Sequence, residues 1–205
     1  MKKKYSKEYF NKLREESAKT YYNTPALNWG SLVDGKYVTQ DRYEFKWKIA
    51  VGENKTLTPL NMDLHEYIKQ FKYNNEMAGR SVSAFVGTDS QNHLSYTRFV
   101  IALCLRIEGN GVHVLIHRFD MPKIYDYRYK LLKETDITAE FARNNKEFFR
   151  EIDMSLEIHS DYNNMTNHKS NGVVTEAKNY MKTLGFDMKI KPNSWAASYS
   201  ADHFC

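Results

Sequence analysis

Apolar and polar positions change their period several times along the chain, and each change marks an element. Residues 1–20 place Tyr5, Tyr9, Phe10 and Leu13 on one side of a helical wheel and Lys, Glu and Arg elsewhere, which predicts a charged amphipathic helix. Residues 21–60 lose that period. Gly, Pro, Asn and Thr are frequent there, and short runs such as KYVTQDRYEFKWKIAV suit a hairpin or an extended arm. From Leu60 the pattern is regular: a capping candidate, Asn61 or Asp63, precedes helical spacing through Leu64, Ile68 and Phe71. Three strand-like runs follow, SVSAFVGTD, SYTRFVIALCLRIEG and GVHVLIHRFDM, and Gly109-Asn110-Gly111 predicts an antiparallel hairpin between the last two. A helix over about residues 128–149 comes next, then a strand in DMSLEIHSD, a helix in NGVVTEAKNYMKTLG stopped by Gly185, a short strand in DMKIKP, and a final helix from Ser194.

The resulting order, β-β-β-α-β-α-β-α, implies an α/β protein with a mixed sheet and helices on its faces. We expect one domain over residues 60–205, preceded by residues 1–59 as a helix and irregular arm with no core of their own. That arm is rich in Tyr and holds Trp29 and Trp47, a composition suited to wrapping a neighbouring subunit in a homo-oligomer or larger assembly.

Charge and composition narrow the class only a little. A net charge of +5 fits a polyanionic partner without requiring one. No apolar run reaches the roughly 18–20 residues of a membrane span, and the opening MKKKYSKEYFNKLREES lacks the apolar stretch of a secretory signal. Cys104 and Cys205 form neither a disulfide framework nor a zinc signature, which suits a reducing, cytoplasmic setting.

The acidic residues change the picture more. Asp89 closes AFVGTD and Asp161 closes SLEIHSD, each at the expected end of a strand. Taken singly, such an aspartate is a turn former. In the helix over 128–149, Leu131, Ile137, Phe141 and Phe148 form an apolar stripe, and Glu134 falls within it, about 20° from Phe141 at 100° per residue. Asp136, Glu140, Arg143 and Glu147 gather on another side, expected to be solvated. A carboxylate on an apolar stripe needs a cation, a donor or a metal, unless it merely sits at the stripe's wet end. Asp202 shares a face of the last helix with Trp195, Ser198 and Tyr199, although a solvated last turn explains it equally. Together the four acids have the layout of a divalent-cation site. Mg²⁺ or Mn²⁺ takes oxygen ligands, and two such ions roughly 3.5–4 Å apart assist both sides of phosphodiester hydrolysis.

The motifs VGTDSQ (residues 86–91), ETDIT with a following acid (134–140), HSDYN…KSNGVV (159–174) and KIKPNSWAASYSADHF (189–204) resemble those of the ribonuclease H-like YkuK family. The resemblance spans about residues 60–205. It implies a ribonuclease H-like fold and a metal-dependent nuclease activity, with Asp89, Glu134, Asp161 and Asp202 as the catalytic, metal-ligating acids. For the helix acid Glu140 is the alternative, and the angular position favours Glu134. Ser90, Gln91 and Lys191 are the expected nucleic-acid contacts. His159 shares strand parity with Asp161 and could line the cleft, although a lone histidine is usually structural; His113 and His117 have no ligand or nucleophile context, and Cys104 sits in an apolar strand. Two further readings stand beside a nuclease acting on RNA, an RNA–DNA hybrid or structured DNA. One is a non-catalytic structural subunit of a large assembly such as a phage particle, located in the virion and held by residues 1–59. The other is nucleic-acid binding without cleavage.

Overall fold

The structure, a computed structural model of the 205-residue chain, describes residues 31–33, 36–38, 44–51, 56–163 and 171–205. The helix expected over residues 1–20 lies outside the described residues. Strands β1 (Ser31–Val33) and β2 (Lys36–Val38) form a small antiparallel pair of their own. The others are β3 (Lys48–Val51), β4 (Thr56–Pro59), β5 (Val82–Asn92), β6 (Tyr96–Ile107), β7 (Gly111–Pro122), β8 (Leu156–Asn163) and β9 (Met188–Lys191). They form one mixed sheet in the order β4-β3-β7-β6-β5-β8-β9. β5, β6 and β7 are an antiparallel meander, whereas β8 joins β5, and β9 joins β8, in parallel. Helices α1 (Leu64–Met77), α2 (Tyr127–Glu151) and α3 (Asn171–Thr183) complete the expected mixed α/β arrangement. Among the described residues, no helix is long and apolar enough to cross a membrane.

Strand period 2 sorts the core. On β5 and β6, Ala84, Val86, Phe99, Ile101, Leu103 and Leu105 pack on the helix-bearing side with Ile137 and Phe141 of α2. Their neighbours Phe85, Val100, Ala102 and Cys104 face the opposite side, where Ala196 and Ala201 of the C-terminal segment cover them. α2 begins where Asp126 accepts a hydrogen bond from the Tyr129 amide at 2.7 Å, and α1 begins at Asp63, which caps Glu66 in the same way. Asp126→Ala is expected to cost about 1 kcal/mol, read as a lower urea midpoint at unchanged slope.

The expected boundary at residue 60 needs correction. β3 pairs with β7, and β4 extends the same sheet, so part of the segment read as an arm belongs to the domain. The reason is aromatic packing ahead of β3. The Trp47 ring meets Phe141 of α2 at 5.3 Å, Phe45 meets it at 5.8 Å, and Trp47 is buried. The His117 ring on β7 is tied through Nδ1 to the Lys46 backbone, closing the same edge.

Candidate functional site: a carboxylate notch where β8 leaves β5

β5 pairs with β6 along its whole length, from Val82↔Ile107 to Asn92↔Thr97. With β8 it pairs only over Ala84↔Leu156 to Val86↔Ile158. Beyond Val86, β5 therefore has a ladder partner on one side only, and the sheet opens into a notch at the carboxyl end of two parallel strands. Such ends are where open α/β sheets place ligand sites. Asp89 does not end the strand, as the sequence suggested. It sits within it opposite Val100, because the β6 ladder carries β5 on to Asn92.

Alternation decides what each β5 residue meets. Thr88 and Ser90 face α2: the Thr88 and Thr138 hydroxyls are 2.7 Å apart, and the Ser90 hydroxyl donates to Glu134 Oε1 at 2.5 Å. Asp89 points to the other side, where Cys205 Sγ donates weakly to its Oδ2 at 3.8 Å. Lys130, one turn before Glu134 on α2, donates from Nζ to the Ser90 carbonyl at 2.8 Å. Asp161 pairs with Lys191 Nζ at 2.7 Å, and Asp202 lies exposed on a 3₁₀ turn (Asp202–Phe204).

The electrostatics tie these groups into one locus. Burial pushes the Asp89 carboxyl up to about 7; the Ser90 backbone N–H works against the rise, Asp161 and Asp202 add to it, and Lys130 offsets a part. Glu134, only 3% exposed, is raised well above the ordinary range, first by burial and then by the charge of Asp89. Crowded, desolvated carboxylates of this kind resist ionisation until a cation joins them. Among the described residues, no group of three or more His, Cys, Asp or Glu side chains is arranged to hold a metal ion. The cations near the acids are lysine ammoniums, Lys191 on Asp161 and Lys130 beside Asp89 and Glu134. The donor chemistry nonetheless suits a hard divalent ion, since Asp89, Glu134, Asp161 and Asp202 offer carboxylate oxygens.

Several expectations change with this geometry. Ser90 is 6% exposed, and its hydroxyl donates to Glu134. Gln91 and Lys191 are exposed. Glu134 points to the notch, as its place on the stripe implied, but Asp136 and Glu140 are buried rather than solvated. Asp136 pairs with Lys133 at 3.1 Å. α2 is enclosed on more than one side. Asn145 bonds His65 of α1 at 2.7 Å, Phe141 meets Phe45 and Trp47, and Arg128 pairs with Glu176 of α3.

The final helix is also different. Residues Ala196–Ala201 form a wide π-helical turn that passes into the 3₁₀ turn, so the face expected from α-helical spacing does not form. Docking on the sheet decides this geometry. The amides of Trp195 and Ala196 donate to His159 Nδ1 at 3.3 and 3.2 Å, and Ser194 Oγ donates to the Ser160 carbonyl at 2.6 Å. Cys104 Sγ donates to Ser200 Oγ at 3.3 Å. His159 is therefore a structural histidine that anchors the segment carrying Asp202. Sequence reading missed Lys130 and Tyr127, although their spacings of four and seven residues before Glu134 place all three on one helix face.

Two comparisons with known proteins bear on this site. Residues 63–205 match the family model described as Ribonuclease H-like. The chain is 29% identical over 157 residues to "Uncharacterized protein YkuK" of Bacillus subtilis (strain 168), a span of 69% of this chain and 88% of that protein. Both agree with the resemblance carried by the VGTDSQ and KIKPNSWAASYSADHF segments. No solved structure matches.

Proposed function

The chain belongs to the ribonuclease H-like family, and from that premise we propose that it is a divalent-metal-dependent nuclease acting on RNA, an RNA–DNA hybrid or structured DNA. The observation that carries this reading is Glu134. A carboxylate this deeply buried beside a second one, with a serine hydroxyl aimed at it, is a costly arrangement for stability alone.

Asp89, Glu134, Asp161 and Asp202 would hold Mg²⁺ or Mn²⁺. Such an ion, once bound, would supply water activation and stabilisation of the departing 3′-oxygen. The chain's own groups prepare that site. Ser90 fixes one oxygen of Glu134, so this acid is oriented before any ion arrives. Lys130 holds β5 to α2 through the Ser90 carbonyl and keeps a positive charge beside Asp89 and Glu134. Lys191, exposed and paired to Asp161, can turn its ammonium to a phosphate once Asp161 has another cation.

The test is cleavage of end-labelled RNA, hybrid and DNA in Mg²⁺ or Mn²⁺, against the same mixtures with a chelator. Cleavage of at least one polymer that stops on chelation is the expected result. Cleavage that is indifferent to the chelator, or no cleavage of any of the three in either metal, overturns the reading.

A further inference from the structure

At the rim of the carboxylate notch, the connector from β7 to α2 and the first turn of α2 read Lys123-Ile124-Tyr125-Asp126-Tyr127-Arg128-Tyr129-Lys130. The three tyrosines differ in placement. Tyr129 is half-buried against the core, whereas Tyr127 is 44% exposed and Tyr125 half-exposed. Each outward ring carries a lysine: Lys123 Nζ lies 5.5 Å from the Tyr125 ring centre, and Lys130 Nζ lies 5.8 Å from that of Tyr127. The ledge is fixed rather than loose. Asn92 donates to the Ile124 carbonyl at 2.8 Å, the Ile124 amide donates to Thr97 Oγ1 at 2.8 Å, and Lys123 reaches the Leu94 carbonyl at 3.3 Å.

The ledge also runs into the acids. Tyr127 lies seven residues before Glu134, on the same helix face, and Lys130 joins that face to Ser90 beside Asp89. Burial raises the Tyr127 hydroxyl, and the charges of Glu134, Asp161 and Asp89 add to the rise.

We propose that the ledge of Lys123, Tyr125, Tyr127 and Lys130 is a binding track for single-stranded nucleic acid, whose unstacked bases lie on the tyrosine rings while the lysines meet its phosphates. This deepens the nuclease reading and rests on it for the identity of the polymer, naming single-stranded segments as the substrate class. Aromatic faces interleaved with cations suit single strands because every base offers a ring face, and no base edge needs to be read. A duplex keeps its bases stacked on each other and offers these rings nothing but its backbone.

The experiment is fluorescence anisotropy with the full chain in chelator, so that nothing is cut, using a labelled single-stranded oligonucleotide and the matching duplex. Wild type is expected to bind the single strand more tightly than the duplex. Tyr127→Ala is expected to lose roughly tenfold in single-strand affinity and less than about twofold for duplex. Tyr127→Phe is expected to retain wild-type affinity, since the ring and not the hydroxyl makes the stack. An oligonucleotide made abasic throughout, with its phosphates intact, provides a measure independent of folding. It should bind wild type roughly tenfold or more weakly than the intact strand, and the penalty should shrink in Tyr127→Ala. The proposal is overturned if Tyr127→Ala binds the single strand as wild type does, or if the abasic penalty is the same in both proteins. Either result leaves metal-dependent cleavage standing; conversely, single-strand binding on the ledge with no cleavage of any polymer defeats the nuclease reading alone.

Discussion

Asp89→Asn is expected to abolish metal-dependent cleavage and, in the absence of metal, to make the protein more stable at pH 8. The two effects share one cause. In the folded, metal-free chain, burial holds the Asp89 proton up to about 7, against an ordinary aspartate value of 3.8. Between those values the folded state binds more protons than the unfolded one, so stability falls as pH rises through the window, and the full cost is present above it. Asparagine has no charge to desolvate. The variant should therefore exceed metal-free wild type by about 2–4 kcal/mol at pH 8, and the gain should vanish near pH 4. Buried histidines act in the opposite sense. His113, His117 and His159 are lowered by burial, so their contribution is complete above 6.5 and is lost as pH falls below it. Subtracting the wild-type curve from that of Asp89→Asn cancels this histidine background. Mg²⁺ should raise the melting temperature of wild type in a concentration-dependent way and leave the variant almost unmoved. Loss of an ion worth several kcal/mol of transition-state stabilisation predicts a rate lower by a factor of about 100–1000 or more. A variant that is no more stable than wild type at pH 8, or one still stabilised by Mg²⁺, sinks the assignment of Asp89.

Phe141→Ala is the second large effect, and it is structural. The ring is 1% exposed and stands between α2 and the aromatic pair Phe45 and Trp47 that leads into β3. Truncation removes the packing of all three rings at once, and a loss of about 3–5 kcal/mol is expected in urea unfolding. Phe141→Leu keeps most of the volume and should cost clearly less. Because β3 and β4 are held to the domain chiefly at this edge, hydrogen exchange in β3 and β4 should rise more in Phe141→Ala than exchange in β5 or β6. Equal acceleration across the whole sheet would contradict that picture.

The core elements were legible because their signals are local. The apolar run in SYTRFVIALCLRIEG, the Gly109-Asn110-Gly111 turn and the cap candidate Asp63 need nothing beyond neighbouring residues, and the hairpin and the helices α1 and α2 formed where expected. What sequence reading missed depends on tertiary partners. Asp89 looked like a strand end because AFVG is apolar and TDSQ is not, yet the β6 ladder keeps those polar residues in the strand. Asp136 and Glu140 share a helical face with Arg143 and Glu147, a pattern that says solvent, and packing around α2 buries the first two all the same. The segment after Ser194 has α-helical composition, but anchoring by His159, Ser160 and Cys104 opens it into a wider turn. At the site, the place of Glu134 on the stripe was readable from angle, whereas the role of Ser90 was not: its direction toward α2 depends on register.

The docking of the last turn has a consequence in time. Protein chains leave the ribosome amino end first. Asp89, Glu134 and Asp161 emerge and can take their places in the sheet and α2 while residues 194–202 are still inside the exit tunnel. The hydrogen bonds from Ser194, Trp195, Ala196 and Cys104 that seat Asp202 cannot form until then. A nascent chain would thus carry three of the four proposed acids in a half-built notch, and the set would close only once residue 202 has cleared the exit tunnel.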